Sequence, residues 1–432
     1  MSRPRILPAI VLALIVSGAV EAHADVVRRQ LENGLVVLAR EKPAAAAVAI
    51  SVFIRIGSRW EPETSAGITN LLQLVLVKGT TSRSALEIAE GGETMGGGIS
   101  ASGDIDYAEI RGTSLARHWK ELLALIADVT LRPSLPPSEI DNERRVVASM
   151  LRNRLDQPFP LAFDTMMSHL FRNHPYGAPA LGRAMVLDRL DRATLLEHYR
   201  RYYRAGRIVV SVSGQVRATD VVAEVARVFA DAPRDDRPPD PPLGAPAVSL
   251  ERVLLSRAAA QAQIMMGFLA PPIGHSDYAA VKVLQTSLGG GMSGRLFSEL
   301  RDKQGLAYST GALYPGRVEP GFFLAFIGTA PANATRVEQG MREQIERVRS
   351  HPISGAELER ARSYLLGQFV LDRRTNARLA WYEAFYETAG VGHDFADRYV
   401  RALAAVTADD VLRVAKAYLT SPTVVRLEPA PR

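Results

Sequence analysis

The chain has 432 residues, of which 47% are hydrophobic and 23% charged. That composition excludes a natively disordered or fibrous protein, and the length is that of about two to four domain equivalents with substantial cores. The formal charge is +6 from 52 basic and 46 acidic residues. Only six of the basic residues are Lys, and the 46 Arg are scattered along the chain, mostly near Asp or Glu. No basic block or aromatic-basic stripe is present, so the charge carries no nucleic-acid signature. Cysteine is absent; this excludes disulfides, thiolate catalysis and Cys-ligated metals, and it fits an oxidising compartment.

In chain order, Arg3 and Arg5 precede an apolar run from Ile6 to Val20, and Ala22-His23-Ala24 places small residues at −3 and −1 of a cleavage site. This is the layout of a secretory signal peptide. A membrane anchor is the alternative, but the run falls short of the roughly twenty residues a span requires. Residues 1–24 are therefore expected to be removed, leaving a mature chain from Asp25 in the periplasm. Val26–Gln30 and Leu35–Arg40 flank Asn33-Gly34 as a hairpin. A strand is expected at Ala46–Ile56 and a buried helix at Ser65–Val77, stopped at Gly79. Further strands are expected at Ala108–Ser114 and Ile208–Gly214, with helices at Trp119–Thr130, Pro137–Arg154 and Arg192–Tyr203.

Residues 233–246 contain six prolines and no apolar period, so they read as a linker between parts 25–232 and 247–432. The second part repeats the order of the first. A strand at Ala262–Leu269 precedes a helix at Tyr278–Leu288 and a glycine-rich turn. Phe322–Gly328 is the next strand, and Ala332–Arg349 and Ala356–Leu371 are helices. Thr407–Tyr418, N-capped by Thr407, leads into a last strand at Val424–Leu427. An internal duplication of α+β units with mostly antiparallel sheets follows.

The usual catalytic motifs are missing. Neither a G-x-S-x-G elbow nor S-x-x-K occurs. Gly289-x-Gly291-x-x-Gly294 matches a dinucleotide fingerprint literally, but it follows a helix rather than a strand and reads as a close-packed turn. Of the eight histidines, His169 and His174 are the two nearest each other. Their spacing of five takes them off one helical face, and no H-E-x-x-H or inverse occurs.

The segment Gly67–Thr80, GITNLLQLVLVKGT, resembles the active-site helix of the M16 (pitrilysin/insulinase/mitochondrial processing peptidase) zinc metallopeptidases, G-x-x-H-x-x-E-H-x-x-x-K-G-T. Gly67, Lys78, Gly79 and Thr80 match. Asn70 and Leu74 stand at the two His positions and Gln73 at the catalytic Glu. Glu143-Arg144-Arg145-Val146-Val147 resembles the start of the segment that carries the family's third ligand, whose position is Met150. Asn173–Gly177 with Leu181-Gly182, and Leu288–Tyr308, resemble further family segments. The likeness runs from about Val26 to Leu419.

The resemblance implies two homologous α/β-sandwich domains joined by the Pro-rich linker, and a degenerate zinc site at Asn70, Gln73, Leu74 and Met150. Amide oxygens and apolar side chains are poor ligands for zinc, and an amide is no general base. No metal is therefore expected in this chain. Arg301 and Tyr308 match the family's Arg/Tyr pair, which approaches the scissile carbonyl of a bound peptide; guanidinium and phenol are suitable oxyanion donors. On residues alone they could equally be a solvated arginine and a packing tyrosine. The implied role is a non-zinc subunit of a heterodimeric periplasmic peptidase. An HxxEH-bearing partner would hold the zinc, and the substrate would be a peptide or unfolded polypeptide. A second reading is a structural or peptide-binding subunit of a larger complex.

Overall fold

The computed structural model describes residues 26–44, 46–235, 243–244, 246, 251–257 and 259–430. The expected signal peptide and most of the Pro-rich linker lie outside them. The expected hairpin forms β1 (Val27–Gln30) and β2 (Val36–Glu41). The first half continues with β3 (Ala47–Ile54), α1 (Ile68–Leu76), α2 (Ala85–Thr94), β4 (Gly98–Gly103) and β5 (Ala108–Leu115). Helices α3 (Trp119–Leu131), α4 (Pro137–Asp156), α5 (Pro158–Leu170), α6 (Ala184–Leu187) and α7 (Arg192–Tyr202) then lead to β6 (Ile208–Gly214) and α8 (Ala218–Val228).

The second half contains β7 (Arg252–Arg257), β8 (Ala262–Ala270), α9 (Tyr278–Gly289) and a π-helical segment at Leu296–Asp302. Strands β9 (Ser309–Leu313) and β10 (Gly321–Thr329) follow. After them come α10 (Ala334–Ser350), α11 (Gly355–Asp372), α12 (Asn376–Thr388), α13 (Phe395–Ala405), α14 (Ala408–Tyr418) and β11 (Thr423–Pro429). Thr407 caps α14 in a reciprocal capping box with Asp410.

The strands make two sheets, β1-β2-β6-β3-β5-β4 and β7-β11-β8-β10-β9. In each, the strand closing the half pairs in parallel with the strand opening it, β6 with β2 and β11 with β7. The remaining pairs are antiparallel. Set side by side, β2-β6-β3-β5-β4 and β7-β11-β8-β10-β9 are the same topology. The duplication read from the element order is therefore present strand for strand, with β1 as an addition to the first sheet. The sheets are thus mostly antiparallel, as expected, and each has one parallel pair because its closing strand arrives after a helical crossover rather than a hairpin.

Strands β3 and β10 are buried almost throughout, as expected of strands covered on both faces. The cover on one face of each sheet comes from the opposite half. Helix α5 packs on β8 and β11, whereas α12 packs on β3 and β6. Val36, Leu38, Phe53 and Val209 of the first sheet thus belong to the core of the second half. Met166 and Leu170 of α5 sit with Met265, Leu324 and Val425 of the second sheet. Gly267 in β8 permits that approach, since a Cβ there would lie 2.3 Å from Met166 Sδ. Polar contacts fasten α12: Glu383 pairs with Arg40, Arg28 reaches Glu387 at 2.8 Å, and Asn376 Nδ2 donates to the Ala47 carbonyl at 2.8 Å. No helix among the described residues is long and apolar enough to cross a membrane.

Candidate functional site

Helix α1 buries Ile68, Leu71, Leu72, Val75 and Leu76, the i, i+3, i+4, i+7, i+8 stripe of a core-facing helix. Its start is fixed by a carboxylate from six residues upstream. Glu61 accepts from the Gly67 amide at 2.6 Å and the Thr69 amide at 2.8 Å, which suits the positive end of a helix. Burial nonetheless raises the Glu61 pKa above the ordinary carboxylate value, against the lowering effect of those bonds. Gly67 has φ +99, and a Cβ on it would lie 2.8 Å from Gly182 Cα. Glycine is thus required there twice over.

The motif residues kept in this chain turn out to be the frame of the site. Lys78 pairs with Glu143 of α4 at 2.9 Å, which holds α1 against α4. Thr80 Oγ1 donates to Asp128 at 2.8 Å. Tyr176 donates its hydroxyl to Asp106 at 2.6 Å and accepts from the Glu319 amide at 3.1 Å, bridging the two halves. His174 accepts from the Tyr176 amide through Nδ1, and His169 Nδ1 pairs with Glu251 at 2.5 Å. Gly289–Gly294 forms a turn against β9, where a Cβ at Gly289 would lie 2.3 Å from the Ala312 nitrogen. It does not have the strand–turn–helix form of a dinucleotide loop.

The four degenerate positions differ in burial and in partners. Gln73 is fully buried, its Nε2 donating to the hydroxyl of buried Tyr203, and its Oε1 has no partner. Asn70 and Leu74 are half-buried, and Asn70 Nδ2 is buried without a partner. Met150 on α4 is 44% exposed beside exposed Val146. Among the described residues no group of three or more His, Asp or Glu side chains converges. The donor set here does not fit zinc: two positions are apolar, and the Gln73 amide is tied to a buried phenol.

Arg301 and Tyr308 are placed differently. Arg301 lies in the π-helical segment, where the Lys303 amide donates to the Ser298 carbonyl five residues back; such segments are enriched at functional sites. Its guanidinium lies over the Phe297 ring at 4.9 Å and is exposed. Tyr308 is 57% exposed, with its amide bonded to the Gly328 carbonyl. Among the described residues neither the guanidinium nor the phenol has a hydrogen-bonding or ion-pair partner, and none ties either to α1 or α4.

Sequence reasoning missed a cleft between the halves. It measures about 180 Å³ and is walled by Ile105, Phe163, Met167 and Phe322. Arg154 lines it from α4, one turn beyond Met150, and Leu181 from beside Gly67.

Two family models match the halves. Residues 36–184 match the insulinase model (peptidase family M16), and residues 189–365 match the peptidase M16 inactive domain. An uncharacterized zinc protease of Mycobacterium bovis is 31% identical over 404 residues, 91% of this chain and 90% of that one. Another from Bacillus subtilis is 27% identical over 354 residues, 82% and 86% of the two chains. Among solved structures, a protease from Helicobacter pylori superposes with TM-score 0.89 at 23% identity, covering 94% of this chain and 100% of that one. A peptidase M16 inactive domain from Pseudomonas fluorescens gives 0.88 at 22%, covering 94% and 98%. Fold and likeness together define a two-domain α+β protein of the M16 type. The chain belongs to the M16 peptidase family.

Proposed function

We propose that the chain is the zinc-less subunit of a two-chain periplasmic peptidase of this family. It would lend Arg301, Tyr308 and half of the peptide chamber to an HxxEH-bearing partner that holds the metal. One observation carries the reading. The other retained motif residues named above are employed in packing or pairing within the chain, whereas the Arg301 guanidinium and the Tyr308 hydroxyl are exposed and, among the described residues, have no hydrogen-bonding or ion-pair partner. The Phe297 ring under Arg301 leaves all of the guanidinium N–H groups available to an outside acceptor. Two exposed donors seven residues apart, on the π-helical segment and just before β9, are suited to an oxyanion formed outside this chain.

The test is turnover in reconstituted heterodimers verified by size-exclusion chromatography. Arg301→Ala or Tyr308→Phe should lower kcat by about 10²–10³ with KM little changed, because oxyanion donors act mainly in the transition state. Arg301→Lys should recover little of the loss, since a mobile ammonium does not reproduce a planar multi-donor group. Unchanged kcat in intact complexes would leave the chain as a structural wall. The purified chain alone is expected to carry no stoichiometric zinc by metal analysis. Asn70→His, Gln73→Glu, Leu74→His and Met150→Glu together should create zinc uptake that partial sets do not, because ligands must converge to within about 0.2 Å of ideal distances.

A further inference from the structure

The cleft between the halves carries four charged groups, and all four are neutralised within the chain. Arg154 of α4 grips Asp164 of α5 in a two-point pair, Nε to Oδ2 at 2.5 Å and the terminal nitrogen to Oδ1 at 2.7 Å. Arg317, from the β9–β10 connection of the other half, binds Asp104 at 2.5 Å and lies 3.6 Å from Asp106. Asp106 in turn receives the Tyr176 hydroxyl and lies 3.4 Å from Arg59. Such pairing cancels the net charge presented to a ligand, although N–H groups remain on Arg154 and the buried Arg317 Nε has no partner. The walls that remain are the aliphatic and aromatic groups of Ile105, Phe163, Met167 and Phe322.

Size and position narrow the occupant further. At about 180 Å³ the cleft is smaller than the roughly 300–1,000 Å³ typical of small-molecule sites, so it has room for one side chain rather than a free-standing ligand. Asp104 and Ile105 directly follow β4, the outermost strand of its sheet. An extended chain running past that strand end passes the mouth.

We infer that the cleft is a specificity pocket for a single uncharged apolar or aromatic side chain of an extended polypeptide, and that the Arg154–Asp164 pair excludes charged side chains from it. The inference rests on the chain handling extended polypeptide, as proposed above, but does not require a partner or turnover. Removing Arg154 leaves Asp164 as an uncompensated anion at the wall and should admit a cation. Removing the Asp164 charge leaves an uncompensated guanidinium and should admit an anion.

The experiment uses the mature full-length chain and fluorescein-labelled Gly/Ser peptides carrying one central Phe, Leu, Arg or Glu, with binding read by fluorescence anisotropy. Wild type should bind the Phe and Leu peptides about tenfold or more tightly than the Arg and Glu peptides, the size expected from burying one apolar side chain. Arg154→Met should move the Arg peptide to the top of the ranking. Asp164→Asn should do the same for the Glu peptide, and Arg154→Met with Asp164→Asn should restore the neutral preference. Circular dichroism confirms folding, and the two single variants report independently if one of them fails to fold. Equal binding of all four peptides to wild type, no binding at all, or a ranking unmoved in folded single variants overturns the inference. Loss of turnover in Arg301→Ala heterodimers bears on the partnered-subunit reading and leaves this ranking untouched, so the two can fail separately.

Discussion

The α1–α4 face of the first half and the π-helical segment before β9 in the second half have opposite character. On the first, the polar atoms have turned inward or lost partners: Gln73 bonds Tyr203 in the core, Asn70 Nδ2 is buried alone, and Met150 fills the surface. On the second, the Arg301 guanidinium and the Tyr308 hydroxyl are exposed and have no hydrogen-bonding or ion-pair partner among the described residues. A site that has lost its ligands is under no pressure to keep buried charge, and apolar or amide groups are cheaper to enclose. A site that acts on something outside the chain must keep its donors free. Under the proposed function, the contrast between inward and outward polarity would separate the degenerate metal positions from the donors offered to a partner.

The strongest way to break the comparison is to part the halves. Expressed alone, residues 26–235 would leave Val36, Leu38, Phe53 and Val209 uncovered, because α12 shields that face. Residues 246–430 alone would likewise expose the face under α5. Neither half should reach a native, cooperatively melting state, and each should bind a hydrophobic dye. Co-expression of the two should restore a soluble complex with a single melting transition. Independent folding of either half would mean that the exchanged helices are ornament rather than core.

How much of this the amino-acid order discloses follows from where each contact is made. The opening hairpin, β3, α4 and α14 were legible because their signals are local: Asn33-Gly34, alternation, an apolar stripe and the Thr407/Asp410 cap. Helices α5 and α12 were not, because each is patterned for a sheet in the opposite half. Helix α5 also begins Pro158-Phe159-Pro160, which reads as a break although proline is accepted in a first turn. Strands β4 and β9 are edge strands built from Gly, Ser, Ala and Thr, with little alternation to detect. Helix α2 was announced by a Ser84/Glu87 capping box, obscured by Gly91-Gly92. At the site, Asn70, Gln73, Leu74 and Met150 could be located by likeness to a motif. The inward turn of Gln73 could not, since its partner Tyr203 is 130 residues away. The Arg154–Asp164 pair, only ten residues apart, was hidden because it depends on how α4 and α5 pack.

A smaller effect sharpens the inward half of the comparison. Tyr203→Phe removes the acceptor for Gln73 Nε2 and leaves that amide buried with both of its polar atoms unmatched. A loss of about 1–3 kcal/mol in unfolding free energy is expected, read by denaturant titration. Gln73→Leu combined with Tyr203→Phe should restore most of it, because an apolar pair of similar volume leaves nothing unsatisfied. Arg301→Ala, from the outward face, should change stability by less than about 0.5 kcal/mol. If Tyr203→Phe is silent, Gln73 is not held inward by this bond and its amide is free to serve the surface.

The effect most specific to the frame around α1 is a dependence on pH. His198 of α7 is buried against α1, its Nε2 lying 3.2 Å from Thr69 Oγ1. Burial, with a smaller contribution from Arg201, lowers its pKa from 6.5 to about 4. The folded form therefore refuses a proton that the unfolded chain accepts. Above pH 6.5 both are neutral and the full stability is present; as pH falls from 6.5 towards 4 the unfolded state gains protons and stability is lost. At pH 5 the loss from this group is about 2 kcal/mol relative to pH 7, given 1.36 kcal/mol per unit. Glu61 acts in the opposite sense, since its raised pKa favours the folded state as pH falls. The measurement is therefore a difference between wild type and His198→Gln, which can keep a bond to Thr69 without titrating. The variant should show a shallower decline in unfolding free energy between pH 7 and pH 5, whereas Arg301→Ala should reproduce the wild-type slope. Equal slopes for wild type and His198→Gln would mean that His198 is protonated in the folded protein and that the packing around α1 is looser than its burial indicates.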